Sequence, residues 1–221
     1  MLSIQEEQAI KLVLSAPRLS TYEVETKAMP NLSGAIALYT WNAQVSAALM
    51  FPMHICEIAI RNAVSDAVEA VYGRDWPLSP GFRASLTNPP PPTYSPLRDL
   101  IDTANRQPSV GKVIAELKFK FWETMFTGRF DVRLWNVHLN SVMPHLPVGL
   151  NVQQARALIH KDLEKLRGLR NRIAHHEPIF TRNLMDDFRR LKDLIGFRCS
   201  HTVVWMENNE NASGLINHRP P

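Results

Sequence analysis

The sequence is poor in cysteine: it has only two, Cys56 inside an apolar stretch and Cys199 near the C-terminal end. Two thiols this far apart give neither the spacing of a metal site nor a disulfide framework. Such usage is typical of proteins in a reducing compartment. We therefore expect this protein to be cytoplasmic.

Signals for export and membrane insertion are also lacking. The residues after Met1 include Glu6 and Glu7, where a secretory leader would carry basic side chains. We also expect no charge-free apolar run long enough to span a bilayer. Neither export nor a membrane partner is predicted.

The motifs of several large enzyme classes are absent. The sequence has no Gly-rich nucleotide-binding loop, no Gly-x-Ser-x-Gly nucleophile elbow and no His-Glu-x-x-His pair. His175, His176 and Glu177 are consecutive, so on a helix they point in different directions and are poorly placed to hold one ion. Phosphoryl transfer and serine hydrolysis lack their required parts, and we predict neither a metal nor another cofactor.

The composition is that of a folded and moderately basic protein. Hydrophobic residues make up 45% and charged residues 21% of the 221 positions, and the formal net charge is +4. This length suits one domain with a substantial core. The excess of positive charge favours an anionic partner.

Apolar residues recur at helical spacing along most of the chain, and no strand pattern is present, which predicts an all-α fold. Ser3 and Glu6 form a capping box for a first helix that ends at Pro17. The apolar stretch from Asn31 predicts two consecutive helices separated at Pro52. Further helices are predicted around 19–28, from Ser95, over 109–126 and 130–143, from Asn151 to about His175, and from Thr181 to Gly196.

The helices are predicted to form one domain over residues 1–206. Residues 73–95 include the run Pro89 to Pro92, which cannot donate backbone hydrogen bonds and favours extended geometry. We predict a proline-rich surface loop there, with a ligand for an aromatic groove as the second interpretation. Residues 207–221 are polar and are predicted to be a disordered tail.

Two groups of side chains have competing interpretations. Trp41, Trp122 and Trp135 lie within apolar helical patterns, so we assign them to the core rather than to base stacking. Lys118 and Lys120 could contact phosphates or could form a solvated helix face, and the pattern does not distinguish these.

Arg170 interrupts the apolar stripe of the helix that begins at Asn151. Helical spacing places it between Leu166 and Ile173, where another apolar residue would complete the stripe. A buried guanidinium is costly unless it meets an acidic partner or lines a polar cleft or a subunit interface. Arg170 therefore requires an explanation.

Asn171 and His175 are four residues apart, so they share the face next to Arg170. An amide, an imidazole and a guanidinium close together near one helix end resemble a reactive site. The alternative is structural: Arg170 pairs with a carboxylate such as Glu57, while His175 and His176 cap the helix. Spacing alone favours the structural interpretation.

The amino-acid sequence around Arg170 adds to these observations. Arg170 is followed by four residues, the first of which is the polar Asn171, and then by His175. The stretch from Leu169 to Phe180 closely resembles the signature of Abi-like proteins in the HEPN superfamily. The resemblance extends over about 18–205 through Arg18-Leu19, Tyr22, Ala37 to Tyr39, Trp41-Asn42, Glu57, Arg61-Asn62, Tyr72-Gly73, Trp76, Ala115 to Leu117, Phe121-Trp122 and Leu134-Trp135.

The resemblance implies a HEPN-type helical bundle with additional N-terminal and peripheral helices. In active members of the superfamily, two copies of the motif face each other across a homodimer and cut RNA without metal. The chain is accordingly expected to be an endoribonuclease of abortive-infection or toxin–antitoxin phage defence, acting on tRNA, rRNA or mRNA. A toxin–antitoxin role would add an antitoxin as a protein partner.

The motif residues suit this chemistry. His175 is of the one side-chain type whose unperturbed pKa lies near neutrality, so it can act as base or acid; Arg170 can offer paired donors to phosphate oxygens, and Asn171 can orient either. Arg172 and His176, on the neighbouring face, are interpreted either as contacts to flanking phosphates or as solvated surface groups.

Glu57 and Arg61 are four residues apart on a mostly apolar helix, with Asn62 beside them. The simplest interpretation is an intrahelical salt bridge at the border of the core. The functional interpretation is that Glu57 or Asn62 supports the Arg170 site. For the whole protein, the rival to the enzyme is a non-catalytic HEPN module that binds RNA or a partner protein.

Overall fold

The computed structural model describes residues 2–26 and 31–220, and over those ranges it is all-helical, without strands, which confirms the predicted fold class. Twelve α-helices are present in these ranges: α1 (Ile4–Leu14), α2 (Ala16–Glu25), α3 (Leu32–Tyr72), α4 (Pro80–Ser85), α5 (Pro96–Arg106), α6 (Val110–Glu116), α7 (Phe119–Met125), α8 (Asn136–Val142), α9 (Val152–Ala174), α10 (Leu184–Arg198), α11 (Ser200–Glu207) and α12 (Ala212–Asn217). Short 3-10 turns lie at Trp76–Leu78 and Gly128–Phe130, and a π-helical turn at Asp131–Trp135 precedes α8.

Helix α3 is the centre of the bundle and contacts α2, α8, α10 and α12. It is one continuous helix, so the prediction of two helices separated at Pro52 is wrong. Pro52 is buried within it. A proline inside a helix costs about 3 kcal/mol, and here burial of the apolar faces on both sides outweighs that penalty.

The apolar character of α3 also corrects the expectation of no membrane-length run. By length and composition it is the one helix in the described ranges that could cross a membrane, because residues 32–56 contain no Asp, Glu, Lys or Arg. The central helix of a soluble bundle meets the same criteria. Its exposed positions include the small or polar Ala37, Thr40, Ala43 and Gln44, which is compatible with a soluble protein.

The proline-rich stretch is more than a surface loop. Its first half folds into the 3-10 turn and α4, and it buries Trp76 and Phe82 completely. Trp76 Nε1 donates to Ser65 Oγ at 3.2 Å, and the two aromatic rings meet edge to face. Only the later part, including residues 90–92, is exposed as predicted. Aromatic anchors therefore tie this connection to the core.

The C-terminal segment differs from the expected disordered tail, since it forms α12 and packs on the bundle. Ala212 is fully buried, and Trp41 Nε1 donates to Leu215 O at 2.7 Å. Arg219 donates to Phe180 O at 3.0 Å and pairs with Glu25 at 2.7 Å. These contacts are distant in sequence, so local polarity did not indicate them.

Several helix boundaries also differ from their predictions. The helix predicted over 109–126 is divided into α6 and α7, and the stretch 130–143 begins with the 3-10 and π turns before α8. Asn183 rather than Thr181 caps α10, which continues past Gly196. The caps at Ser3, Ser95 and Asn151 are confirmed.

The buried apolar residues, apart from Leu19 and Ile36, form one cluster that extends from Tyr22 to Ala212. Trp41, Trp122 and Trp135 belong to it, which confirms their assignment to the core. This continuous core holds the C-terminal end of α9 in place.

Candidate active site

Helix α9 carries the Arg-Asn-x-x-x-His segment. It begins with a capping box in which Asn151 and Gln154 bond each other's backbone N–H groups at 2.9 Å. Its buried face continues from Leu166 to Leu169, three residues further on. The stripe is therefore completed by Leu169 and not at Arg170, which corrects the premise that Arg170 occupies a core position.

Arg170 lies on the exposed side of α9, and His175 is exposed as well, while Asn171 is half-buried. The predicted structural pairing of Arg170 with Glu57 does not form. No ion pair or hydrogen bond of the Arg170 side chain is present in residues 2–26 and 31–220. Its guanidinium is thus available to an external anion.

The end of α9 is a Schellman turn. His176 has a φ of +56°, its N–H donates to Ile173 O at 3.0 Å, and Glu177 N–H donates to Arg172 O at 2.8 Å. His175 occupies the C-cap, where its N–H donates to Asn171 O at 2.9 Å. Glycine is the usual residue at the left-handed position, so His176 here is a strained choice.

Side chains from α2 and α3 hold this turn. Arg18 Nη1 donates to His176 O at 2.9 Å, and Asn42 Oδ1 accepts from Ile179 N at 2.8 Å. The centroids of the Tyr22 and Phe180 rings lie 5.2 Å apart. Residues separated by more than 130 positions therefore fix the backbone beside His175.

Only some of the residues predicted to support the motif lie at this turn. Arg172 Nε lies 3.2 Å from Glu177 Oε2, so that pair closes across the turn, and the exposed His176 borders it. Glu57 accepts from Arg61 Nη2 at 3.1 Å, as an intrahelical pair. No hydrogen bond joins either of them to Arg170 in the described part of the chain.

Asn62 is exposed and lies in a different groove, beside Arg198 and Trp205. The two lysines that precede and open α7 have structural partners. Lys118 Nζ is 3.2 Å from Asp99, and Lys120 pairs with the fully buried Glu123. Arg167 of α9 also binds Glu123. These pairs account for both lysines without a phosphate.

Sequence reasoning missed the role of Asn42. An asparagine inside the long apolar stretch of α3 is a usable signal, because a buried amide requires a partner. The left-handed His176 had no local signal, since it depends on partners in α2 and α3. Among the described residues, no group of three or more His, Cys, Asp or Glu side chains could hold a metal ion.

Comparison with models of protein families, with curated proteins and with solved structures gives no match. The protein is therefore described by its fold and by the side chains at the end of α9. It is an all-α bundle that presents two exposed histidines, and an arginine without a partner among residues 2–26 and 31–220, at the tightly held end of one helix.

Proposed function

We propose that this chain is a metal-independent endoribonuclease of the HEPN type, with Arg170, Asn171 and His175 as its catalytic residues. The observation that carries the proposal is the exposed Arg170 guanidinium, which has no partner in the described residues and lies five positions from the exposed His175. The other three arginines of α9 are each paired with a carboxylate.

The local charge supports an anionic ligand. Arg18 donates to His176 O, Arg172 pairs with Glu177 across the turn, and the exposed Arg170 lies at the same end of α9, so basic side chains outnumber the one carboxylate among these residues. Phosphate groups of nucleic acid are attracted by such an excess of positive charge. The formal net charge of +4 acts in the same direction.

The reaction needs no external nucleophile. A histidine takes the proton of a ribose 2'-hydroxyl, O2' forms a bond to the adjacent phosphorus, and the bond from phosphorus to O5' breaks. A second acid protonates the leaving O5', which gives a 2',3'-cyclic phosphate and a free 5'-hydroxyl. Arg170 stabilises the negative oxygens of the pentacoordinate state, and Asn171 orients either group.

The proposed assembly is a cytoplasmic homodimer in which two motifs face each other, so that two histidines serve the two proton transfers. The resemblance of the motif region to Abi-like proteins favours a role in abortive-infection or toxin–antitoxin phage defence. Its substrate would be tRNA, rRNA or mRNA, and an antitoxin would be its natural inhibitor.

The test is cleavage of total RNA by the purified protein in excess chelator, with mapping of the new ends and their terminal chemistry. We expect cyclic phosphate ends. Both Arg170→Ala and His175→Ala should lower the cleavage rate by at least about 100-fold, since each removes a group that acts in the transition state.

Matched controls are available on exposed positions elsewhere. Arg133→Ala and His201→Ala remove the same side-chain types from outside the motif and should retain the wild-type rate. If the intact protein cleaves no RNA pool, while Arg170→Ala lowers its affinity for RNA, the chain is instead a non-catalytic RNA-binding module.

A further inference from the structure

A cleft lies directly beside the turn after α9. It has a volume of about 290 Å³ and is bounded by α2, the first half of α3 and the turn itself; its lining includes Tyr22, Tyr39, Asn42, Ser46, His176 and Glu177. We call it the Tyr22 cleft. Its size is close to the lower end of small-ligand pockets, which is about 300 Å³, so it suits one planar ring system.

One wall of the Tyr22 cleft is aromatic. The Tyr22 and Tyr39 rings meet edge to face at 5.1 Å, and Tyr39 is only partly buried. The floor is made of small residues of α3, including the exposed Ala43 and Ala47, which continue the helix face that carries Tyr39. A flat ring could therefore lie on the floor against a tyrosine face, as bases do on aromatic side chains in RNA-binding proteins.

Two polar groups at the cleft have unused hydrogen-bonding capacity. Asn42 is only 6% exposed; its Oδ1 is occupied by Ile179 N–H, and its amide NH₂ donates to no group in the described residues. The Tyr22 hydroxyl is fully buried and also has no partner there. Burial raises the pKa of Tyr22 to about 12, so this hydroxyl keeps its proton and can donate. The buried Tyr22 hydroxyl lacks an acceptor, whereas the Asn42 amide nitrogen is not fully buried and lines the cleft.

The other side of the cleft supplies acceptors. Glu177 is exposed; Arg172 Nε donates to its Oε2 atom, and no donor among the described residues reaches Oε1. A carboxylate at this place disfavours a bound phosphate, because like charges repel. It favours a neutral ring that offers N–H donors.

We propose that the Tyr22 cleft binds one unstacked guanine of an RNA chain, with its N1–H and N2–H groups donating to Glu177 and its O6 accepting from the Asn42 amide. Guanine is the base that offers two adjacent donors to a carboxylate and an acceptor beside them. This inference rests on the proposed function, since it makes the cleft a base-recognition subsite next to His175.

The experiment is a binding titration of the full chain with the four nucleoside 5'-monophosphates, which carry the same phosphate and differ only in the base. We expect the guanine nucleotide to bind at least about tenfold more tightly than the other three, a difference of about 1.4 kcal/mol. Glu177→Gln should abolish the preference, because a carboxamide cannot accept from both donors. Equal binding of all four nucleotides overturns the proposal.

A second test of the proposal fills the Tyr22 cleft with a large side chain. Ala43→Trp places an indole on the floor of the Tyr22 cleft at an exposed position and should remove guanine nucleotide binding. Ala37→Trp makes the same change on an exposed position of α3 outside the cleft and should leave it unchanged. Unaltered binding in a folded Ala43→Trp protein would rule the cleft out.

RNA cleavage separates this inference from the proposed function. Cleavage without any preference for guanine, unaltered by Ala43→Trp, contradicts the cleft and leaves the nuclease intact. Guanine nucleotide binding that Ala43→Trp removes, in a protein that cleaves no RNA, supports the cleft and contradicts the nuclease.

Discussion

His176 shows how a single residue at the site depends on the rest of the fold. A non-glycine residue in the left-handed region costs about 1 to 2 kcal/mol, and glycine would be the ordinary choice. Arg18 binds the carbonyl of His176, and Asn42 binds Ile179 N–H just beyond it. Helix capping at His175 was predictable from the following Pro178, whereas the left-handed His176 was not, because its partners lie more than 130 residues away.

The buried Tyr22 hydroxyl, which has no partner in the part of the chain that the structure describes, leads to a stability prediction. Tyr22→Phe keeps the ring contacts with Tyr39 and Phe180 and removes an unpaired buried donor. We expect the free energy of unfolding of the free protein to rise by about 1 to 2 kcal/mol, as measured by urea denaturation at pH 7. A decrease would mean that the hydroxyl has a partner in solution.

The same substitution alters the alkaline limit of stability. The folded-state pKa of Tyr22 is raised to about 12 by burial, above the unfolded value of about 10. The neutral phenol is thus favoured in the folded protein, and its stabilising effect is present below pH 10 and is lost as the pH rises through 12. Between these values the wild type should lose stability faster than Tyr22→Phe.

At the scale of helices, local signals were sufficient where a helix end is determined by its own side chains. The capping boxes of α1 and α9 and the cap of α5 are of this kind. Other features of the helices depend on burial against elements that are distant in sequence. This burial keeps α3 helical through Pro52, packs Trp76 and Phe82, and orders α12.

The two terminal helices should differ sharply in their contribution to stability. Deletion of residues 209–221 removes the bond between Trp41 and Leu215 O and both contacts of Arg219, and it uncovers Trp41. We expect a loss of about 2 to 4 kcal/mol. In a thermal scan this corresponds to a midpoint lower by roughly 5 to 15 °C for a chain of this size.

Deletion of residues 2–14 is the matched comparison. Helix α1 buries none of its residues and is joined to α2 by the partly exposed pair of Lys11 and Glu23. Such a pair contributes about 1 kcal/mol or less, so the thermal midpoint should stay within about 4 °C of that of the full chain. Equal losses in the two deletions would contradict this ordering.

At the scale of the whole molecule, the proposed chemistry requires two copies of the motif. Twofold assembly is isologous, so a residue near the axis approaches the same residue of the partner. Ala174 is exposed and directly precedes His175. If paired motifs form the active site, Ala174 lies within the interface or at its edge.

Ala174→Trp should therefore separate the protomers without unfolding them. We expect light scattering to give twice the mass of one chain for the wild type and the mass of a single chain for the variant. RNA cleavage should fall together with the dimer, because a single chain supplies one histidine where the reaction uses two. Circular dichroism checks that the helices remain.

Lys161→Trp is the control, since it introduces the same bulk at an exposed position of α9 about two and a half turns before Arg170. It should keep both the dimer and the activity. A wild-type protein that is monomeric while it cleaves RNA would refute the paired arrangement, and Arg170 and His175 of one chain would then have to perform both proton transfers. A monomeric Ala174→Trp variant with full activity would lead to the same conclusion, because it separates the chemistry from the association.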